Sequence, residues 1–199
     1  MSKQVEFFFD FGSPNAYLAY TQLPALAQRQ GADIAWRPML LGGVFQATGN
    51  RSPAEIPAKS RWSQQDIQRW VRRYEIEFRH NPHFPVNTLA LMRGAVGLQM
   101  NGDADAFLRY VDAMFRAMWV DERNLAEPAE IGRVLSDAGF DPEAFQRMIA
   151  DQAVKDELKQ CTESAVERGV FGAPSFIVGD TLFFGQDRLH FVEEALAEA

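Results

Sequence analysis

A single cysteine, Cys161, stands among 199 residues, which excludes an internal disulfide and any metal site built on a cysteine cage. Long apolar runs are missing too: none approaches the ~20 residues that a membrane-spanning helix needs. Positive charge is in deficit, with 20 Lys and Arg against 27 Asp and Glu and a net charge of −7. That balance disfavours a nucleic-acid surface and favours solubility. Histidine is scarce as well. His80 and His83 flank Pro82 with no carboxylate or cysteine cluster beside them, so they read as surface-loop residues and no metal is expected. His190 falls on the closing helix without an evident partner. The N-terminus, Met1-Ser2-Lys3-Gln4, leads straight into a strand with no signal-peptide pattern, and a soluble cytoplasmic protein is expected.

What the chain has in plenty is phenylalanine, 16 residues, which suits either a packed core or an aromatic pocket. Val5-Glu6-Phe7-Phe8-Phe9 is too short and too apolar to be amphipathic, as in a central strand covered on both faces, and Asp10-Phe11-Gly12 turns out of it. Ser13-Pro14 then opens a helix, serine being a preferred N-cap and proline suiting the first helical position; Gly31 is its expected stop. A second strand over 34–39 completes a βαβ unit with a right-handed crossover. The middle of the chain reads as helix. A short helical segment over 45–49 precedes a loop over 50–60, and Ser63-Gln64-Gln65-Asp66 resembles a capping arrangement that opens a helix through Tyr74. Helical periodicity follows over 88–100, 104–119, 128–138 and 141–150, with no strand anywhere between 45 and 165. Trp62 and Trp70 read as the core of this stretch. The end of the chain is mixed: a helix over 153–168, a hairpin from 175–178 and 182–184 around Gly179-Asp180, and a closing helix over 188–198. The expected architecture is α/β, with one discontinuous domain (1–44 and 151–199) flanking an all-helical insertion (45–150).

Several short segments, in order along the chain, carry a resemblance. They are Phe9-Asp10-Phe11-Gly12-Ser13-Pro14 with Tyr17-Leu18, Pro38-Met39-Leu40-Leu41-Gly42-Gly43-Val44-Phe45 with Gly49-Asn50, and Asn81-Pro82 to Asn87-Thr88. Val170-Phe171-Gly172-Ala173-Pro174 and Phe184-Gly185-Gln186-Asp187-Arg188-Leu189 follow. Together they resemble the 2-hydroxychromene-2-carboxylate isomerases and the related kappa-class glutathione transferases, in the DsbA-like branch of the thioredoxin superfamily. The resemblance implies a thioredoxin-like fold with a large helical insertion, a cis-proline at Pro174, and glutathione as cofactor. It implies that Ser13 hydrogen-bonds the glutathione sulfur from the position where a disulfide oxidoreductase has its first redox cysteine. It implies further that Ala173, beside Pro174, pairs with the glutathione backbone. The turn Phe184, Gly185, Gln186 and Asp187 would hold the γ-glutamyl end, through the Asp187 carboxylate. Asn50 and Arg51 are the matching candidates for the second substrate and its carboxylate. Phe45 or Gln46 and Phe84 stand where the naphthalene-pathway isomerase has a lysine and a tyrosine. A homodimer is left open.

A serine hydroxyl cannot exchange disulfides, so other chemistry is expected of this turn. Free glutathione is mostly thiol at neutral pH, with a pKa near ~8.5. A helix N-terminus favours a nearby anion, and a charge-assisted hydrogen bond from Ser13 adds about 1.5–3 kcal/mol. Ser13 is thus an orienting donor and the nucleophile is the cofactor's sulfur. Addition of that thiolate to the conjugated alkene of an aromatic 2-oxo acid leaves a single bond that rotates; expulsion of sulfur gives the other isomer. Tyr17, Trp62, Phe84 and Trp119 are candidate walls for the aromatic ring. Two rival readings stay open: a kappa-like transferase that leaves glutathione on an electrophile, and a non-catalytic glutathione-binding module. Each bland reading also stands: Ser13 as a plain N-cap, Asp187 as a cap of the last helix, and Cys161 as a half-buried small residue.

Overall fold

Phe7, Phe8 and Phe9 are all buried, and a strand covered on both faces has to lie inside its sheet. The computed structural model, which describes residues 3–199, places it there. Strand β1 (Lys3–Phe9) runs parallel to β2 (Ala32–Pro38) and antiparallel to β3 (Ser175–Val178), which turns back into β4 (Thr181–Phe184). The order across the sheet is β2-β1-β3-β4, so strands from the two ends of the chain meet at its centre. Phe7 stacks on Phe176 of β3 and on Phe9, toward the larger core. Phe8 points to the opposite face and packs with Met39, Val44, Val170 and Ile177.

Helix α1 (Pro14–Gln30) connects β1 to β2. Ser13 caps it, accepting a hydrogen bond from the Ala16 N–H, and Gly31 ends it in the left-handed region at φ 61°. The remaining helices are α2 (Leu41–Thr48), α3 (Pro57–Tyr74), α4 (Leu89–Met100), α5 (Ala104–Trp119), α6 (Pro128–Asp137), α7 (Pro142–Ala150), α8 (Gln152–Glu167) and α9 (Leu189–Glu198). Short 3-10 turns lie at Pro53–Glu55 and Gln186–Arg188. Among the described residues every strand falls outside 45–165, and no helix is long and apolar enough to cross a membrane.

Three sequence expectations need correction here. Helix α2 starts at Leu41, not at 45, so the expected boundary at residue 44 falls inside a helix. Helix α3 starts at Pro57, and Ser63-Gln64-Gln65-Asp66 lies in its interior, half-buried at Ser63 and Asp66 and exposed at Gln64 and Gln65. Proline at the first helical position is the true start signal, and Ser52 caps the 3-10 turn before it. Trp62 is 61% exposed and belongs to no core.

Helix α5 locks the insertion to the sheet. Tyr110, Met114, Phe115, Met118 and Trp119 are fully buried along one of its faces. The Phe115 ring meets Phe11 edge to face at 4.9 Å. The Trp119 indole N–H donates to the Phe11 carbonyl at 2.8 Å, which fixes the backbone just before Gly12-Ser13. Trp119→Phe keeps most of the packing and leaves that carbonyl buried without a donor. We expect a loss of about 1–3 kcal/mol in urea unfolding; an unchanged midpoint and slope would show that the bond contributes nothing.

Candidate active site

The site begins with how the chain leaves β1. The buried Asp10 carboxylate accepts from the Gly12 N–H and from the Leu41 N–H, both at 2.8 Å. It thereby joins the β1 exit to the start of α2. Gly12 is needed for close approach: a Cβ there would meet Thr88 Cγ2 at 3.2 Å and Asp10 Oδ1 at 3.3 Å. Burial, opposed by hydrogen bonds from Gly12, Leu41 and Thr88, holds the Asp10 carboxyl above its ordinary value of 3.8.

Ser13 follows, buried at the N-terminus of α1. Its hydroxyl donates to the Ala173 carbonyl at 2.9 Å and accepts from the Ala16 N–H at 3.2 Å. The Tyr17 N–H is bound to the Ser13 carbonyl, and Pro14 has no N–H to give. The Asn15 N–H is thus the helix-start donor left without a partner among the described residues. Across from it, the Ala173–Pro174 peptide bond is cis, and the Pro174 carbonyl accepts from the Gly185 N–H at 3.0 Å.

Ser13 opens onto a cavity of about 580 Å³, within the size range of small-ligand sites. The α1 turn and the Phe171–Ala173 loop form one end, and α2 and the segment 49–54 form a side. Helix α3 and the loop carrying His80, Phe84 and Pro85 complete it. Among the described residues, the ionisable side chains on its wall are Arg51, Lys59 and His80, with no carboxylate beside them. A chain of net charge −7 thus keeps a cation-lined cavity.

Of the residues singled out from sequence, Ser13, Asn50, Arg51, Phe84, Ala173 and Phe184 all line this cavity. Asn50 also holds the site together, because its Nδ2 donates to the Phe171 carbonyl at 2.9 Å and so ties two walls to each other. Arg51 has no carboxylate partner among the described residues. Pro174, Gly185, Gln186 and Asp187 are not among the residues that line it. Gln186 is buried and accepts from the Tyr74 hydroxyl at 2.8 Å. The Asp187 carboxylate pairs with Arg188 at 2.7 Å and does not cap α9.

Three of the expected aromatic walls are not walls. Tyr17 is buried with its hydroxyl donating to the Glu77 carbonyl, Trp119 is buried against Phe11, and Trp62 points to solvent. Phe45 faces the cavity, whereas Gln46 lies on the far side of α2. Sequence reasoning does not find Lys59 or His80. Lys59 falls within the expected loop over 50–60, and His80 reads as a plain surface residue. Only the Ile56-Pro57 helix start points to Lys59. Cys161 is remote from the cavity, and burial beside Glu157 pushes its thiol up to about 11.

A DSBA-like thioredoxin domain matches residues 4–197, which sets the class of the fold. A solved 2-hydroxychromene-2-carboxylate isomerase superposes with a TM-score of 0.87 at 30% identity, covering 98% of this chain and 95% of that one. A 2-hydroxychromene-2-carboxylate isomerase of Sphingobium xenophagum is 32% identical over 200 residues, the full length of both chains. Glutathione S-transferase kappa 1 of Caenorhabditis elegans is 28% identical, covering 98% of this chain and 91% of the relative. The chain belongs to the 2-hydroxychromene-2-carboxylate isomerase family of DSBA-like thioredoxin-fold proteins. The isomerase and transferase relatives are enzymes by name, and they align with nearly all of this chain.

The Asp10 carboxyl gives a pH signature. Because its folded-state pKa lies above the unfolded value, the folded chain holds this proton where the unfolded chain has lost it. The resulting stability is complete below pH 3.8 and declines as pH rises through the folded-state value. Asp10→Asn removes the titration and also costs about 1–3 kcal/mol by taking an acceptor from one buried N–H. In urea unfolding the wild-type advantage over Asp10→Asn should therefore shrink as pH is raised from about 4 toward neutral. An advantage that grows with pH would reverse this account.

Proposed function

We propose that this protein is a glutathione-dependent isomerase. It interconverts 2-hydroxychromene-2-carboxylate and trans-o-hydroxybenzylidenepyruvate, or a related aromatic 2-oxo acid, in the breakdown of aromatic compounds. The observation that carries this reading is the Ser13 hydroxyl, held at a helix N-terminus and opening onto a cavity without carboxylates among its described walls. Both glutathione and the substrate are anions, and a positively lined cavity in a negative protein favours them over cationic or neutral ligands.

The hydrogen bonds already present define how the sulfur would be received. A serine has one O–H to donate, and here it is given to the Ala173 carbonyl. An incoming thiolate draws that proton away from the carbonyl. The carbonyl is then free to accept an N–H from the glutathione peptide, so both groups stay satisfied. The Asn15 N–H and the helix dipole add to the stabilisation of the anion. Glutathione held there would supply a thiolate able to add reversibly to the conjugated alkene, which would permit rotation about that bond and return the cofactor unchanged. The substrate carboxylate is met by Arg51 and Lys59. Lys59 brings a cation from α3 into a cavity where Phe45 stands near the family's lysine position. Phe84 and Phe184 offer apolar surface to the ring.

Similarity to a kappa-class transferase favours a second reading, in which the same thiolate adds and stays. Product analysis separates the two: an isomer with glutathione regenerated, or a stable conjugate.

Two measurements test the proposal. Glutathione should raise the melting temperature by mass action, and turnover of 2-hydroxychromene-2-carboxylate should require it. Ser13→Ala should retain part of the thermal shift while kcat falls roughly 10- to 150-fold, the value of one charge-assisted hydrogen bond. Loss of the N-cap adds about 0.5–2 kcal/mol of destabilisation. Turnover that is indifferent to glutathione, or a Ser13→Ala enzyme of full activity, overturns the reading.

A further inference from the structure

His80 is held unusually well for a loop residue with no partner of its own. Its neighbours on both sides are anchored to the end of α5. The Arg79 N–H donates to the Trp119 carbonyl at 2.7 Å, and buried Asn81 donates from Nδ2 to the Met118 and Arg123 carbonyls, both at 2.9 Å. The Asn81 Oδ1 accepts from the His83 N–H at 2.8 Å, closing the loop on itself. The imidazole lies 5.8 Å from the Phe84 ring and 6.4 Å from the Trp119 indole, centroid to centroid, and lines the cavity into which Ser13 opens. Neither ring nitrogen bonds to another described residue. A side chain fixed through its backbone, with its polar atoms left free at a cavity wall, is arranged to work on what the cavity holds.

The proposed substrate poses a chemical demand that glutathione does not meet. In 2-hydroxychromene-2-carboxylate one carbon bears both a hydroxyl and the ring oxygen, a cyclic hemiketal. Thiolate addition to a conjugated 2-oxo acid requires the open form. Opening needs a base for the hydroxyl proton and an acid for the departing aryl oxygen. Arg51 and Lys59, the other ionisable groups of the cavity, are cations without a proton-accepting site at neutral pH. A neutral imidazole has one, and its own pKa lies nearest the working pH.

We propose that His80 is the proton carrier for ring opening and closure, an inference that rests on the isomerase reading above. The imidazole takes the proton of the hemiketal hydroxyl while its O–H electrons form the new carbonyl. The bond from that carbon to the ring oxygen breaks, and its electrons remain on the aryl oxygen. The imidazolium then gives its proton to that oxygen, leaving a phenol, a 2-oxo acid and a neutral imidazole. One proton moves between two oxygens of one carbon, and nothing is oxidised or reduced. The imidazole is exposed at the cavity edge, and the desolvation it does undergo moves its pKa below the ordinary value, toward the accepting form.

The test compares two compounds with wild type, His80→Gln, His80→Ala and Ser13→Ala, all with glutathione present. One compound is 2-hydroxychromene-2-carboxylate; the other is cis-benzylidenepyruvate, which lacks the ring hydroxyl and cannot cyclise. His80→Gln should lower kcat/KM for the chromene by about 10²- to 10⁴-fold. Its loss on the hydroxyl-free compound should be smaller by at least about tenfold, and free imidazole should restore part of the His80→Ala rate on the chromene. Ser13→Ala should impair both compounds alike. Equal loss on both compounds in His80→Gln, no loss on the chromene, or no rescue by imidazole would each remove His80 from this role. A wild type that converts the hydroxyl-free compound with glutathione but not the chromene also overturns it. A wild type that converts neither overturns the isomerase reading, and this inference with it.

Discussion

A buried carboxylate with two backbone N–H groups at 2.8 Å stands at the origin of the site. Asp10 takes one bond from the turn that leads to Ser13 and one from the first residue of α2, while Thr88, next to the start of α4, closes in from a third direction. Three segments far apart in sequence are referred to a single side chain. A carboxylate suits this position because both of its oxygens accept, whereas an amide or hydroxyl satisfies fewer backbone donors there. The cost is desolvation, visible in the raised pKa. The Ser13–Ala173 bond then spans 160 residues and draws the C-terminal half of the sheet against the turn. Position, more than side-chain identity, is what these two contacts secure.

The same contacts explain which parts of the fold are legible in sequence. The Phe7-Phe8-Phe9 run, the Ser13-Pro14 cap and the Gly31 stop are local signals with one physical reading each, and the structure shows the elements that they imply. The Val170–Pro174 and Phe184–Leu189 segments take their expected meaning from the resemblance alone, and the Ala173–Pro174 bond is cis. Failures come where two local signals compete. Ser63 to Asp66 imitates a capping box, yet Pro57 has already opened the helix, and a helix interior tolerates the polar run on its exposed face. Trp62 and Trp119 read wrongly because indole burial is decided by tertiary geometry: one projects from α3 into solvent, the other seals α5 against Phe11. His80 reads as a surface-loop residue and is exposed in the structure; its place on the cavity is not legible, since it follows from anchors at Arg79 and Asn81 whose acceptors lie some forty residues on.

Replacing a nucleophilic sulfur by a hydroxyl changes what a helix N-terminus is for. The dipole and the free N–H groups stabilise an anion whether it belongs to the chain or to a ligand. With Cys161 half-buried, remote and pushed to about 11, the protein has no thiolate of its own to offer there. The hydroxyl oxygen is held in place by Ala173 and Ala16, so a sulfur bound there would need only the O–H to turn away from the Ala173 carbonyl. In the proposed reaction the sulfur has to leave as readily as it adds. A borrowed thiolate serves that need better than one fixed in the chain, because its product state is simply the cofactor again.

Charge completes the constraint. A cavity lined by Arg51, Lys59 and His80, with no carboxylate among its described walls, attracts anions, but three permanent cations would hold a product as firmly as a substrate. A neutral imidazole avoids that. In the proposed reaction Arg51 and Lys59 would meet the acid end of a 2-oxo acid, while the His80 imidazole stands beside Phe84 and Trp119. The same cavity carries the Ser13 hydroxyl, where the N-terminal and C-terminal parts of the domain meet. In the proposed reaction the fixed charges select the anion, and the Ser13 hydroxyl and the His80 imidazole are the neutral groups that serve the chemistry.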